Sequence, residues 1–277
     1  MLLVNRSMQT IKLGPAGSPS ASTFDGISKV KELGLHTMEV QFSHGIKMGI
    51  DLAEKVGAEA AIHGIELSIH APYYINLLSE DAQKIKDSKK RILDSCERGH
   101  FFGTKNNPCR VVFHPAYYGK LSKEKAFSLV LNEIEELNEI IKENKWNSVL
   151  APETSGRHTA FGTLDEIIDI SLKAGISMCT DLSHIYAKGM GKIDSSDVIS
   201  KLKKVKKRPL HFHFSGINYS EKGELNHLVL GNNPPFEPFA EEILKIKADA
   251  TIISESPITW QDSLKMKKIF EKLDYKW

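Results

Sequence analysis

Eight short apolar runs, each followed by a longer segment of helical period, dominate this 277-residue chain. The runs are Thr10–Leu13, Thr37–Phe42, Glu66–His70, Arg110–His114, Ser148–Glu153, Ile176–Asp181, Leu210–Phe214 and Ala250–Glu255. Their length and β-branched content mark them as strands. Segments such as "FDGISKVKELG", "SKEKAFSLVLNEIEELNEIIKEN" and "TLDEIIDISLKAG" repeat apolar residues at i, i+3 and i+4, several of them behind Ser, Thr or Asp caps, and with their counterparts they predict eight helices. A strand-helix unit repeated eight times is expected to close on itself as an α/β fold, the (β/α)8 TIM barrel. The alternative is an open doubly wound sheet. Its nucleotide-binding form lacks support, because the first strand leads into "GPAGSPSASTFDG" and not into GxGxxG.

With 41 % hydrophobic residues the chain can bury a full core, and the expectation is one barrel domain over residues 1–277. No run of eighteen apolar residues appears, and "MLLVNRSMQTIKLG" lacks a long apolar stretch before a small-residue cleavage site, so a membrane partner is not expected and a cytoplasmic location is. Cys96, Cys109 and Cys179 are widely separated and form no CxxC, which argues for reduced thiols. A formal charge of +2 neither requires nor excludes nucleic acid. The basic stretch "KLKKVKKRP" ends just before the seventh strand, so it is expected at the face opposite the usual active site, as a solvated helix end.

In a parallel barrel the C-terminal strand ends converge on one mouth, where a polar side chain costs burial energy unless it has partners. Six consecutive strands here end in a metal-ligand type: His70, His114, Glu153, Asp181, His213 and Glu255. A lone strand-end histidine is usually structural. Six carboxylates and imidazoles crowded together would remain uncompensated without cations, so the set points to metal binding. His184 in "DLSHIYAKG" and His227 in "GELNHLVLG" can add ligands from loops. Nitrogen and oxygen donors without thiolate suit zinc, with manganese or iron as alternatives. His211 shares a strand face with His213 and is expected to support it, Cys179 is expected in the barrel core, and His44 and His158 follow strands that end at the mouth.

The motifs "SIHAPYYINL", "VVFHP", "APETSG", "CTDLSH", "HFHFSG" with "HLVLG", and "ISESP" resemble, in this order, the endonuclease IV type of apurinic/apyrimidinic (AP) endonuclease on the xylose isomerase-like barrel. The resemblance implies three metal ions, usually zinc, and an enzyme that cuts damaged double-stranded DNA 5′ to an abasic site, leaving a 3′-hydroxyl in base-excision repair; a monomer is expected. By position, His70 and His114 would hold the first ion, and Glu153 would bridge it to the second. Asp181, His213 and Glu255 would complete the second shell, while His184 and His227 would hold the third. Glu153 and Glu255 would thus be the catalytic carboxylates. The family's aspartate two residues before the second of these histidines is Leu225 here, and the neighbouring Glu224 is the substitute. Tyr73 and Tyr74 match the loop that enters the duplex at the gap.

Two departures stand out. The first loop reads "LGPAGSP" where the family has a His-Val-Ser-like segment, and the second, "FSHGIKMG", lacks the family's DNA-entering arginine, leaving His44 or Lys47 for that contact. A rival reading is a single-metal sugar or sugar-phosphate isomerase or epimerase on the same barrel, for which Glu153, Asp181, His213 and Glu255 suffice. It has no need of His70, His114, His184 and His227. A third is a non-catalytic barrel that keeps the scaffold and binds DNA or stores metal.

Overall fold

The computed structural model describes residues 9–207 and 209–277. All eight predicted strands form: β1 (Ile11–Pro15), β2 (Thr37–Gln41), β3 (Glu66–His70), β4 (Cys109–Phe113), β5 (Ser148–Pro152), β6 (Cys179–Asp181), β7 (Leu210–Phe214) and, after a hairpin, β10 (Ala250–Ser254). The hairpin, β8 (Gly216–Ser220) and β9 (Gly223–Leu228), is antiparallel and adds to the expected strands. Boundaries differ modestly. β1 continues to Pro15, β6 begins at Cys179, and His114, Glu153 and Glu255 each stand one residue beyond the strand that carries them.

The parallel strands pair as two arcs, β2-β3-β4-β5 and β1-β10-β7-β6. A bridge from Ala16 to Glu39 closes one seam and a bridge from Glu153 to Cys179 closes the other, giving the expected barrel. Gly14 permits the first closure, since a Cβ there would lie 1.7 Å from the Thr37 carbonyl oxygen.

The helices are α1 (Thr23–Glu32), α2 (Ile50–His63), α3 (Ala82–Phe102), α4 (Lys123–Glu143), α5 (Leu164–Ala174), α6 (Leu182–Lys188), α7 (Ser195–Leu202), α8 (Glu237–Ile246) and α9 (Thr259–Lys272). Eight correspond to the predicted segments, and α6 is additional. Local signals start and stop them: Thr163 and Glu166 form a reciprocal capping box on α5, and left-handed glycines, Gly64 and Gly175, end α2 and α5. Leu67, Ile69, Val111, Phe113 and Phe212 belong to the apolar core that the strands share with the helices around them. No helix among the described residues is long and apolar enough to cross a membrane.

Inside the barrel, polar groups dominate both ends. At the bottom, Glu66 accepts from Lys12 Nζ at 2.8 Å, Asn107 Nδ2 at 2.8 Å, Thr251 Oγ1 at 3.1 Å and Arg110 Nη1 at 3.3 Å. One carboxylate thus ties β1, β3, β4 and β10. Burial pushes its pKa up, but Arg110 and Lys12 outweigh that and hold it down at about 2. Glu66→Ala, which strands Arg110, is expected to cost about 3 kcal/mol at pH 7 by urea unfolding. Because the folded pKa lies below the ordinary 4.5, this stabilisation is complete above that value and fades as the pH falls towards about 2. A variant equal to the parent at pH 7 would refute the assignment.

Candidate metal centre at the barrel mouth

The six strand-end residues come together at the mouth. His70, His114 and Glu153 form one group whose ligand atoms lie within 4.8 Å of one another, and Glu153, Asp181, His213 and Glu255 form a second. Glu153, fully buried, stands between them. Its Oε2 is 3.4 Å from His70 Nε2 and 3.2 Å from His114 Nε2, while its Oε1 is 2.9 Å from His213 Nδ1.

Hydrogen bonds on the far side of several rings orient them. His70 Nδ1 donates to the Ala71 carbonyl at 2.8 Å, and His184 Nδ1 donates to the Thr154 carbonyl at 3.0 Å. The Ser215 hydroxyl gives its proton to the Gly216 carbonyl, so it accepts from His227 Nδ1 at 2.7 Å. Each bond keeps a proton on Nδ1, so Nε2 is the nitrogen that turns to the mouth and offers a lone pair once its own proton is displaced. Asp181 has two tasks: its Oδ1 accepts the His184 backbone N–H at 2.7 Å, capping α6, while its Oδ2 has no hydrogen-bond partner. That cap creates the short helix and holds His184 in its first turn.

Several buried polar atoms at the mouth lack a formed hydrogen bond, namely both Glu153 oxygens, Asp181 Oδ2, His114 Nδ1 and His213 Nδ1, and the Glu153 oxygens rest on ion-pair contacts with the imidazoles alone. Such groups cost free energy unless a cation or another partner completes them. Burial, Glu153 and Glu255 raise the Asp181 pKa, with His184 opposing. Burial also opposes the charged forms of His70 and His184, but Glu153 beside the first and Asp181 and Glu224 beside the second raise them to about 9 and about 10. Ions held here would therefore displace protons, and the donor set of imidazoles and carboxylates fits divalent cations.

A third group unites His184, His227 and Glu255. The hairpin supplies His227 and also Glu224, whose Oε2 is 3.3 Å from His184 Nε2. The same oxygen accepts the Gly156 N–H at 3.0 Å, and its Oε1 lies 3.4 Å from Arg157 Nε. Glu224 therefore borders the third position while clamping the hairpin to the loop after β5, and Glu255 is the carboxylate that closes the group. Leu225, at the resembling family's aspartate position, is exposed.

Glu39 escapes the sequence reading. It is fully buried on β2, accepts from Ser68 Oγ at 2.9 Å, and meets His211 Nε2 at 3.3 Å and His213 Nε2 at 3.1 Å. With Nε2–H of His213 directed at Glu39, Nδ1 faces the second group, and His211 supports His213 through this carboxylate. The available signal is a charged residue between Met38 and Val40 in a strand, which must face inward. Cys179 packs with Val112 and Ala151, and burial raises its thiol pKa well above the ordinary value, consistent with a core role.

The mouth opens into a cleft of about 840 Å³ whose lining includes His70, His114, His184, His227 and Glu255. Tyr73 and Tyr74 stand on its rim, 57 % and 69 % exposed, and Tyr73 sets its ring against His70 with centroids 5.9 Å apart. His44 touches Tyr73 edge-on, but His44 and Lys47 line a second hollow with Gln41 and Phe42. His158 lines neither.

This barrel, with ligand-type side chains at its C-terminal mouth, defines a class. The chain belongs to the xylose isomerase-like TIM barrel family, whose pattern matches residues 27–273. An uncharacterized protein of Methanocaldococcus jannaschii is 32 % identical over 98 % of this chain and its own full length. The apurinic-apyrimidinic endonuclease of Caenorhabditis elegans is 32 % identical over 128 residues, 43 % of this chain and 30 % of that protein. Among solved structures, a D-tagatose 3-epimerase-like protein superposes with a TM-score of 0.70 at 19 % identity, covering 89 % of this chain and 91 % of the other, a likeness of fold.

Proposed function

We propose that the protein is a divalent-metal phosphodiesterase, with zinc as the expected metal, that cuts duplex DNA on the 5′ side of an abasic site. The observation that carries this reading is the pairing of His70 and His114 on Glu153, beside a second group that already contains Glu153, Asp181, His213 and Glu255. A single-metal sugar epimerase requires only the second group. The partial match to an AP endonuclease supports the same choice.

Residues at the mouth divide the work. Divalent ions held by these groups would supply positive charge to the phosphodiester and lower the pKa of the attacking water. Glu153 places the first two groups a carboxylate apart, and the hydrogen-bonded imidazoles hold their lone pairs inward. His184, His227 and Glu255 offer a third ion position, with Glu224 beside it. Tyr73 and Tyr74, exposed on the rim, would enter the gap left by a missing base and replace its stacking. A side-chain nucleophile has no part in this scheme.

The epimerase reading rests on the second group, which suffices for it, on a fold shared with a D-tagatose 3-epimerase-like protein. Parallel incubations of one metal-loaded preparation, with an abasic duplex and with a ketohexose, separate the two. Strand incision without ketose turnover is expected, and ketose turnover without incision would overturn the proposal.

A further inference from the structure

α3 carries Lys84, Asp87, Ser88 and Arg91 on one stripe, and all four line the cleft that leads to the metal centre. Ser88 locks this stripe in place: it accepts the Asn76 N–H at 3.0 Å and donates to the Lys84 carbonyl at 2.6 Å. Charge pairing differs sharply around the helix. Away from the cleft, Lys89 bridges to Glu133 and Glu136, and Lys90 bridges to Asp94. Among the described residues, Lys84 and Arg91 have no carboxylate within salt-bridge distance, and Arg91 gives one Nη1 bond, 3.3 Å, to the Tyr74 carbonyl.

We infer that this face of α3 is a phosphate-binding wall for the DNA strand that reaches the metal centre. The helical rise from Lys84 to Arg91 sets the two cations about 10 Å apart along the axis. That separation lets the two side chains meet different phosphates of one strand. Arg91 offers a planar fork for phosphate oxygens and Lys84 a mobile point charge. Tyr74, whose carbonyl holds Arg91, and Tyr117, 44 % exposed on the same cleft, offer ring faces for neighbouring sugars or bases. A neutral sugar offers these two cations no counter-charge, whereas a phosphodiester strand offers one to each.

This inference rests on the phosphodiesterase reading, and binding measurements separate the two. Affinity for an abasic duplex, measured against salt without cleavage, is expected to fall about tenfold at low salt in the Lys84→Ala, Arg91→Ala double variant. The slope of log affinity against log salt should shrink by about 2, roughly 0.9 for each phosphate that the variant no longer neutralises. Metal content and thermal unfolding should match the parent, Arg91→Lys should restore most of the slope, and Lys90→Ala should change nothing. An unchanged slope in the double variant, or a parent that binds no duplex, overturns the wall. A reduced slope in a protein that never cuts would leave the wall standing and remove the proposed reaction; normal cutting with an unchanged slope would do the reverse.

Discussion

Glu153→Gln is expected to keep the barrel and lose metal and activity together, with incision falling by well over 100-fold. Among the described residues, Glu153 alone is shared by the His70–His114 and the Asp181–His213–Glu255 groups. Its two oxygens face different imidazoles, 3.2 Å from His114 and 2.9 Å from His213. Glutamine preserves the shape but turns one oxygen into an N–H donor, so at least one group loses a lone pair and the charge that neutralises a cation. Changing an outer-sphere partner of a ligand typically costs 10- to 100-fold, and a bridging ligand should cost more. Burial favours the neutral form of Glu153, yet His114 and His213 hold its pKa well below the ordinary range, so the carboxylate is charged before any cation arrives. Metal analysis, thermal unfolding and duplex incision on one preparation check this result. Full metal content with full activity would contradict a ligand role for Glu153 in both groups.

Glu39→Gln is expected to weaken one bound ion by 10- to 100-fold and leave the others nearly unchanged. The carboxylate never reaches the mouth. It accepts from His213 Nε2, and that bond decides which ring nitrogen carries the proton and therefore which is free for a ligand. Glutamine can present its amide N–H to His213, which invites the wrong tautomer. Metal titration followed by calorimetry reads the affinities one by one. A merely structural role would lower thermal stability in the metal-free protein and affect every ion alike, and equal affinities throughout would show that Glu39 does not set the His213 tautomer.

The barrel and most of the mouth are legible in the sequence because both follow from short-range pattern. Alternation along a strand tells which side chains face the axis, and parallel closure brings the C-terminal ends to one place whatever the loops do. His70, His114, Glu153, Asp181, His213 and Glu255 need nothing more. The hairpin is harder: "GINYSEKGELNHL" is short, and only pairing Ile217 with His227 turns it into two strands. α6 depends on the Asp181 cap, which competes in the sequence with that residue's value as a ligand. Glu39 can be assigned to the inner face, but its contact with His213 spans 174 positions. That Lys84 and Arg91 lack a carboxylate partner among the described residues depends on long-range geometry as well, because the carboxylates that occupy their neighbour Lys89 come from α4.

Mapping the strand ends left when the metal-reconstituted protein meets a duplex with one abasic site decides whether this mouth is a phosphodiesterase centre. The expected products are a single cut immediately 5′ to the lesion and a 3′-hydroxyl on the released fragment, with the cut abolished by chelation and recovered on adding zinc. An intact duplex under full metal loading, or a cut on the 3′ side, would contradict the assignment.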